Sequence, residues 1–105
     1  MSAVQIVLST IDDSEAAGEL ATQLVEEGLA ACVSIIPNIS SIYKWEGVLE
    51  KSQECLMVMK TTAHLVADLI QRTQQLHPYD VPEILSVDVQ QGHPPYLQWV
   101  VEQTR

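Results

Sequence analysis

His77, Tyr79, Asp80 and Glu83 fall in one short stretch whose backbone is fixed by Pro78 and Pro82. An imidazole and carboxylates are donors that a divalent metal takes, with imidazole suited to copper, zinc or nickel. A metal centre wants three or four converging ligands. His77 and Glu83, the candidate pair, would therefore need a second chain to complete them. The plainer reading is a structural turn with a hydrogen-bonded His77. Tyr43, Trp45 and Glu46 form a second group. Aromatic rings beside a carboxylate could line a small-molecule pocket at a subunit junction. Aromatic anchors at an interface explain the same residues without a ligand. Lys60 ends an apolar run, where it could pair with Glu46 or Glu83. Cys32 could be a soft metal ligand or a reactive thiol, but its apolar run argues for an inert one. His64 and His93 read as surface or capping residues.

Signatures of several chemistries are missing. Gly18, Gly28, Gly47 and Gly92 stand singly, so no glycine-rich phosphate loop exists, and there is no GxSxG or HExxH. Fourteen acidic against five basic residues give a formal charge of −9. That balance opposes nucleic-acid backbones, which reward Lys and Arg clusters. Cys32 and Cys55 form no CxxC pair, and two buried thiols are expected. Met1-Ser2-Ala3-Val4 leads into an apolar strand pattern without a basic stretch, and no apolar run reaches the roughly 20 residues of a membrane span. No membrane association and a cytoplasmic location are expected.

The elements that must position these residues follow from periodicity. Val4 to Thr10 alternates as a strand. Asp12, three residues before Glu15, resembles a carboxylate capping box. The helix that follows puts Ala17, Leu20, Ala21 and Leu24 on one face, and Gly28 closes it. Residues 31–36 read as a strand interrupted at Pro37-Asn38, where a bulge or edge is expected. The strand resumes through Ile39, Ser41, Tyr43 and Trp45, and Glu54 to Lys60 returns. Its reversal lies at Glu46-Gly47 or at Glu50-Lys51-Ser52. Thr61 or Thr62 can cap a second helix with the stripe Leu65, Val66, Leu69, Ile70, Thr73 and Leu76, ended by Pro78. Glu83 to Val89 is a fourth strand, with Leu85, Val87 and Val89 inward. Gln91-Gly92 turns the chain, and Pro95 opens a short terminal helix with Leu97, Val100 and Val101.

Residues 1–105 thus read as one α+β domain, a ferredoxin-like β-α-β-β-α-β sandwich with an extended hairpin and a short C-terminal helix. The hairpin is too long for it. Arms of thirteen to fifteen residues reach roughly 45 Å, whereas helices of about fifteen residues span roughly 22 Å. The projecting half carries Ile39, Ile42, Tyr43, Trp45, Val48 and Leu49, an apolar edge that would aggregate in a monomer. Pairing between identical chains with closed symmetry is expected. The alternative is a hairpin folded back over its own sheet.

Leu29-Ala30-Ala31-Cys32-Val33, Ile36-Pro37 and Ser41-Ile42-Tyr43-Lys44-Trp45-Glu46-Gly47 resemble the CutA family of divalent-cation tolerance proteins. So do Lys60-Thr61-Thr62, His77-Pro78-Tyr79-Asp80-Val81-Pro82-Glu83-Ile84 and Tyr96-Leu97-Gln98-Trp99, and the likeness spans essentially the whole chain. The resemblance implies a cytoplasmic homotrimer, related in architecture to PII signalling proteins, that is linked to tolerance of copper and other divalent cations. Some members are associated with copper through a Cys ending the first strand and a His pair before Pro-Tyr. Ser9, Leu76 and His77 hold those positions here, so one of three donors is present. On this reading the protein is not an enzyme and has no obligatory cofactor, with copper or another divalent cation as the candidate ligand. Tyr43, Trp45, Glu46, Lys60, His77, Tyr79 and Glu83 are the residues expected around an inter-subunit pocket. The alternative is a PII-like signalling or scaffold trimer that binds a small molecule or protein without metal.

Overall fold

The computed structural model describes residues 3–105; Met1 and Ser2, which head the first apolar run, lie outside the described residues. Four strands, β1 (Val4–Ile11), β2 (Cys32–Trp45), β3 (Val48–Thr62) and β4 (Ile84–Asp88), form one sheet in the order β2-β3-β1-β4. Every neighbouring pair is antiparallel. The helices α1 (Ser14–Glu26) and α2 (Val66–Leu76) cover one face, and α3 (Pro94–Gln103) ends the chain. This is the expected α+β sandwich with a long hairpin and a terminal helix.

Alternation decides what the helices cover. Val7, Ile11, Cys55, Met57 and Met59 point to one side and are buried against Leu20, Leu24 and Leu69. Leu24 also anchors the end of α1, where Gly28 (φ 74°) takes the left-handed conformation. Leu29 N–H donates to the Leu24 carbonyl and Gly28 N–H to that of Val25, the double bond that satisfies a helix's last carbonyls. At the other end Asp13, not Asp12, is the cap: its side chain accepts from the Glu15 N–H at 3.0 Å. The same carboxylate chemistry acts one residue later, because β1 runs through Ile11 before the chain turns.

Two further expectations give way to competing bonds. Neither Thr61 nor Thr62 caps a helix with its side chain. Thr61 Oγ1 donates to the Leu29 carbonyl at 2.7 Å, and Thr62 Oγ1 shares a 2.5 Å bond with Thr104 Oγ1. A 3-10 turn over Ala63–Leu65 leads into α2 instead. In β4, Ile84 pairs with the core-facing Ser9 and packs on the core. Leu85 and Val87 therefore fall on the opposite face and are exposed. Val89 does pack, with Leu97, on a small cluster of Val4, Ala31 and Val100.

The hairpin reverses at Glu46-Gly47, both with positive φ (51° and 80°), the two-residue turn whose twist suits antiparallel strands. The register shifts between Ile36 and Ile39, where Asn38 sits at φ 60°: the expected bulge at Pro37-Asn38. The hairpin does not fold back. Ile42 is 66% and Leu49 69% exposed at its far end.

Candidate functional site

Beyond the bulge, alternation returns Tyr43 and Trp45 of β2, with Glu50 and Glu54 of β3, to the sheet face turned away from α1 and α2. The α2–β4 connection crosses beside them with Tyr79, Asp80 and Glu83. Together they enclose an open groove of about 690 Å³, completed by Thr10, Ser41, Ile42 and Val81. Two aromatic rings of the hairpin, one of the connection and four carboxylates therefore share one cavity, and no Lys, Arg or His lines it.

One hydrogen-bond chain fixes its floor. His77 is buried, at 7% exposure. Its Nε2 lies 2.8 Å from the Thr10 carbonyl, and its Nδ1 accepts the Tyr79 N–H at 3.1 Å. Acceptance at Nδ1 leaves Nε2 as the protonated nitrogen, which donates to Thr10. The His77 and Tyr79 rings meet edge to face with centroids 4.7 Å apart. Tyr79 Oη then donates to Glu54 Oε2 at 2.8 Å. Burial foremost, and then the Glu54 carboxylate, push the Tyr79 phenol above its ordinary pKa, so it remains a donor. Glu83 is held through its backbone, whose carbonyl accepts from Ser9 Oγ at 2.7 Å.

Of the residues expected around a pocket, Tyr43, Trp45, Tyr79 and Glu83 line the groove. His77 stands behind it and acts through Tyr79. Glu46 occupies the hairpin turn, away from the lining. Lys60 lies further along the same sheet face and meets neither Glu46 nor Glu83: its Nζ is 2.6 Å from Ser34 Oγ and 3.8 Å from Cys32 Sγ. Cys32 starts β2 on that face and is half-buried, whereas Cys55 is fully interior; both are free thiols. Among the described residues no group of three or more His, Cys, Asp or Glu side chains is arranged to hold a metal ion, and both ring nitrogens of His77 are already bonded. His64 is exposed and bonds the Arg105 carbonyl, and His93 takes the cap position of α3 without a side-chain bond.

Glu50, Glu54 and Asp80 are the groove carboxylates that sequence reasoning passed over or left outside the pocket. A settled turn would have exposed the first two. With the reversal at Glu46-Gly47, Tyr43 pairs with Glu50 and Ile39 with Glu54.

The open sheet face continues past the groove in cross-strand rows: Ser34, Val58, Leu8 and Leu85, then Cys32, Lys60, Ile6 and Val87. It is largely apolar; α1 and α2 lie on the other side of the sheet, and α3 packs over its end at Val4 and Val89.

The family model described as "CutA1 divalent ion tolerance protein" matches residues 5–103. A divalent-cation tolerance protein CutA of Thermus thermophilus is 45% identical over 95% of this chain and 97% of its own length. A CutA protein of Mus musculus is 44% identical over 96% of this chain, which spans 57% of that longer protein. A crystal structure of CutA from Xylella fastidiosa is similar at a TM-score of 0.96 and 39% identity, covering 99% of this chain and 100% of that one. The Thermus thermophilus Cut A1 structure has a TM-score of 0.93 at 44% identity, over 97% of this chain and 99% of that one. With the Trp-Glu-Gly turn and the His-Pro-Tyr connection placed as described, the chain belongs to the CutA1 divalent ion tolerance protein family.

Proposed function

We propose that the protein acts in divalent-cation tolerance as a cytoplasmic homotrimer, and that it binds a ligand rather than catalysing a reaction. Its working site is the acidic groove, placed where neighbouring copies meet. One observation carries this reading: the bare apolar sheet face that runs into the groove, with the hairpin projecting beyond it. A patch of that kind calls for a specific partner. A ring of identical chains covers every copy equally. The tolerance role is supported by the names of the relatives. A binding role is supported by the groove's lining, in which aromatic rings stand beside a few carboxylates and hydroxyls, the mixture of surfaces that ligand pockets use.

A second reading is favoured by the His77 geometry. With both ring nitrogens committed, copper or zinc at His77 and Glu83 would have to displace a hydrogen bond in the floor. A PII-like signalling or scaffold trimer that binds a small molecule or protein without metal requires no such break. Calorimetric titration of the intact assembly with copper and zinc separates the two. Saturable binding that is lost in both His77→Ala and Glu83→Gln supports the metal-responsive protein. No heat from an assembly that stays intact supports the metal-free one.

A further inference from the structure

Cys32 and Lys60 are direct cross-strand partners, and such pairs hold their Cβ atoms about 5 Å apart. Both stand on the open sheet face, in the row that continues through Ile6 and Val87. Ser34, two residues along β2 on the same face, accepts from Lys60 Nζ at 2.6 Å. That bond holds the lysine nitrogen beside the sulfur, 3.8 Å from Cys32 Sγ. Tyr96 of α3 closes the pair in: burial foremost, and then the ionisable Cys32 thiol, raise its phenol above the ordinary value.

Cys55 has no such neighbour and cannot serve as one. It is 4% exposed, in the core under α1 and α2, on the opposite face of the sheet. It also lies five positions before Lys60 on β3, roughly 17 Å at the usual strand rise, which is beyond the reach of a disulfide with Cys32. A sulfenic acid condenses with a thiol or with a nitrogen. At Cys32 the nucleophile in place is the Lys60 nitrogen, carried on a flexible stem that closes the remaining gap. The sulfur is half-buried, so a small peroxide reaches it more readily than a bulky external thiol does.

We propose that Cys32 and Lys60 form an oxidation site, at which a peroxide closes a sulfur–nitrogen bond between β2 and β3. In the first step Cys32 Sγ attacks hydrogen peroxide. The O–O bond breaks, the sulfur gives up two electrons, and a sulfenic acid and one water result. In the second step Lys60 Nζ releases one proton to solvent and attacks the sulfur with the pair so freed. The S–N bond forms as the S–O bond breaks, and the departing hydroxide takes a further proton from the nitrogen and leaves as water. One thiol, one ammonium and one peroxide thus give one sulfenamide, two waters and a proton. A thiol reductant reverses the bond. The product also neutralises Lys60, the one charged residue in the two apolar rows of the open face. The geometry belongs to a single chain and does not depend on the groove.

The test is treatment of the intact protein with hydrogen peroxide, then denaturation, alkylation of free thiols and tryptic mapping by mass spectrometry. Trypsin cuts after Lys44, Lys51, Lys60 and Arg72. The expected product joins fragment 1–44 to fragment 52–72, uncut at Lys60 and lighter than the two together by two hydrogens. Dithiothreitol should separate them. Cys32→Ser and Lys60→Arg should abolish the link, and Cys55→Ala should leave it. A link from 1–44 to 52–60 that vanishes in Cys55→Ala is a disulfide and overturns the proposal. A linked product that runs at twice the chain mass on a denaturing gel joins two copies and overturns it as well. One that is heavier by an oxygen carries an N–O–S bridge and overturns the direct bond. Oxygen added at Cys32 with Lys60 still cleaved, or a Cys32 thiol left free, also overturns the proposal.

Discussion

His77 links the backbone of β1 to the groove, since Thr10, His77, Tyr79 and Glu54 form one hydrogen-bond chain. His77→Ala leaves the Tyr79 N–H without its acceptor and the Thr10 carbonyl without its donor. It is expected to cost about 1–3 kcal/mol in urea unfolding, the price of unsatisfied buried groups. Tyr79 gives a pH signature. Its folded pKa lies above the ordinary value of 10.0, so above that pH the unfolded chain has released the phenol proton and the folded chain still holds it. Stability from this group is complete below about pH 10 and falls as pH rises beyond it. Tyr79→Phe should flatten that alkaline fall in unfolding curves. His77, Tyr79 and Glu83 were legible as a group because two prolines fix a short stretch. Glu54 was not, because it arrives from another strand and its neighbours depend on a hairpin register that residue types leave open.

At the scale of elements, α1 and α2 were readable from their apolar stripes, and the bulge from Pro37. What failed were phases and ends. The fourth strand has apolar residues at 84, 85, 87 and 89, so alternation alone permits either face inward. Pairing of Ile84 with Ser9 decides it. The threonines before α2 had two possible uses, and bonds to Leu29 and Thr104 won over capping. The hairpin turn yields a direct check. Glu46 and Gly47 both hold left-handed backbone, a conformation that costs an ordinary side chain about 1 kcal/mol or more. Glu46→Asn, which suits such turns, should raise the melting temperature, and Gly47→Val should lower it. In the core, Leu69→Ala at a fully buried site should cost about 2–5 kcal/mol in the same unfolding assay.

At the scale of the molecule, the side of the sheet under α1 and α2 is closed, and the other is covered by α3 at its Val4 and Val89 end while the rest stays open. Ile36, Leu85 and Val87 on the open face, and Ile42, Val48 and Leu49 on the hairpin, remain exposed in one chain. The excess of hairpin over helix was legible from segment lengths alone. The open face was not, because Leu85 and Val87 read as core until the register placed them outside. Their exposure makes a partner chain more necessary than the hairpin alone did. Val87→Asp, which puts a charge on the face to be covered, should dissociate the assembly while leaving far-ultraviolet circular dichroism unchanged. Sedimentation equilibrium of the unmodified protein at micromolar concentration tests the account most directly. A single species of three times the 11.6 kDa chain mass is expected, and a stable, soluble species of one chain mass would contradict it.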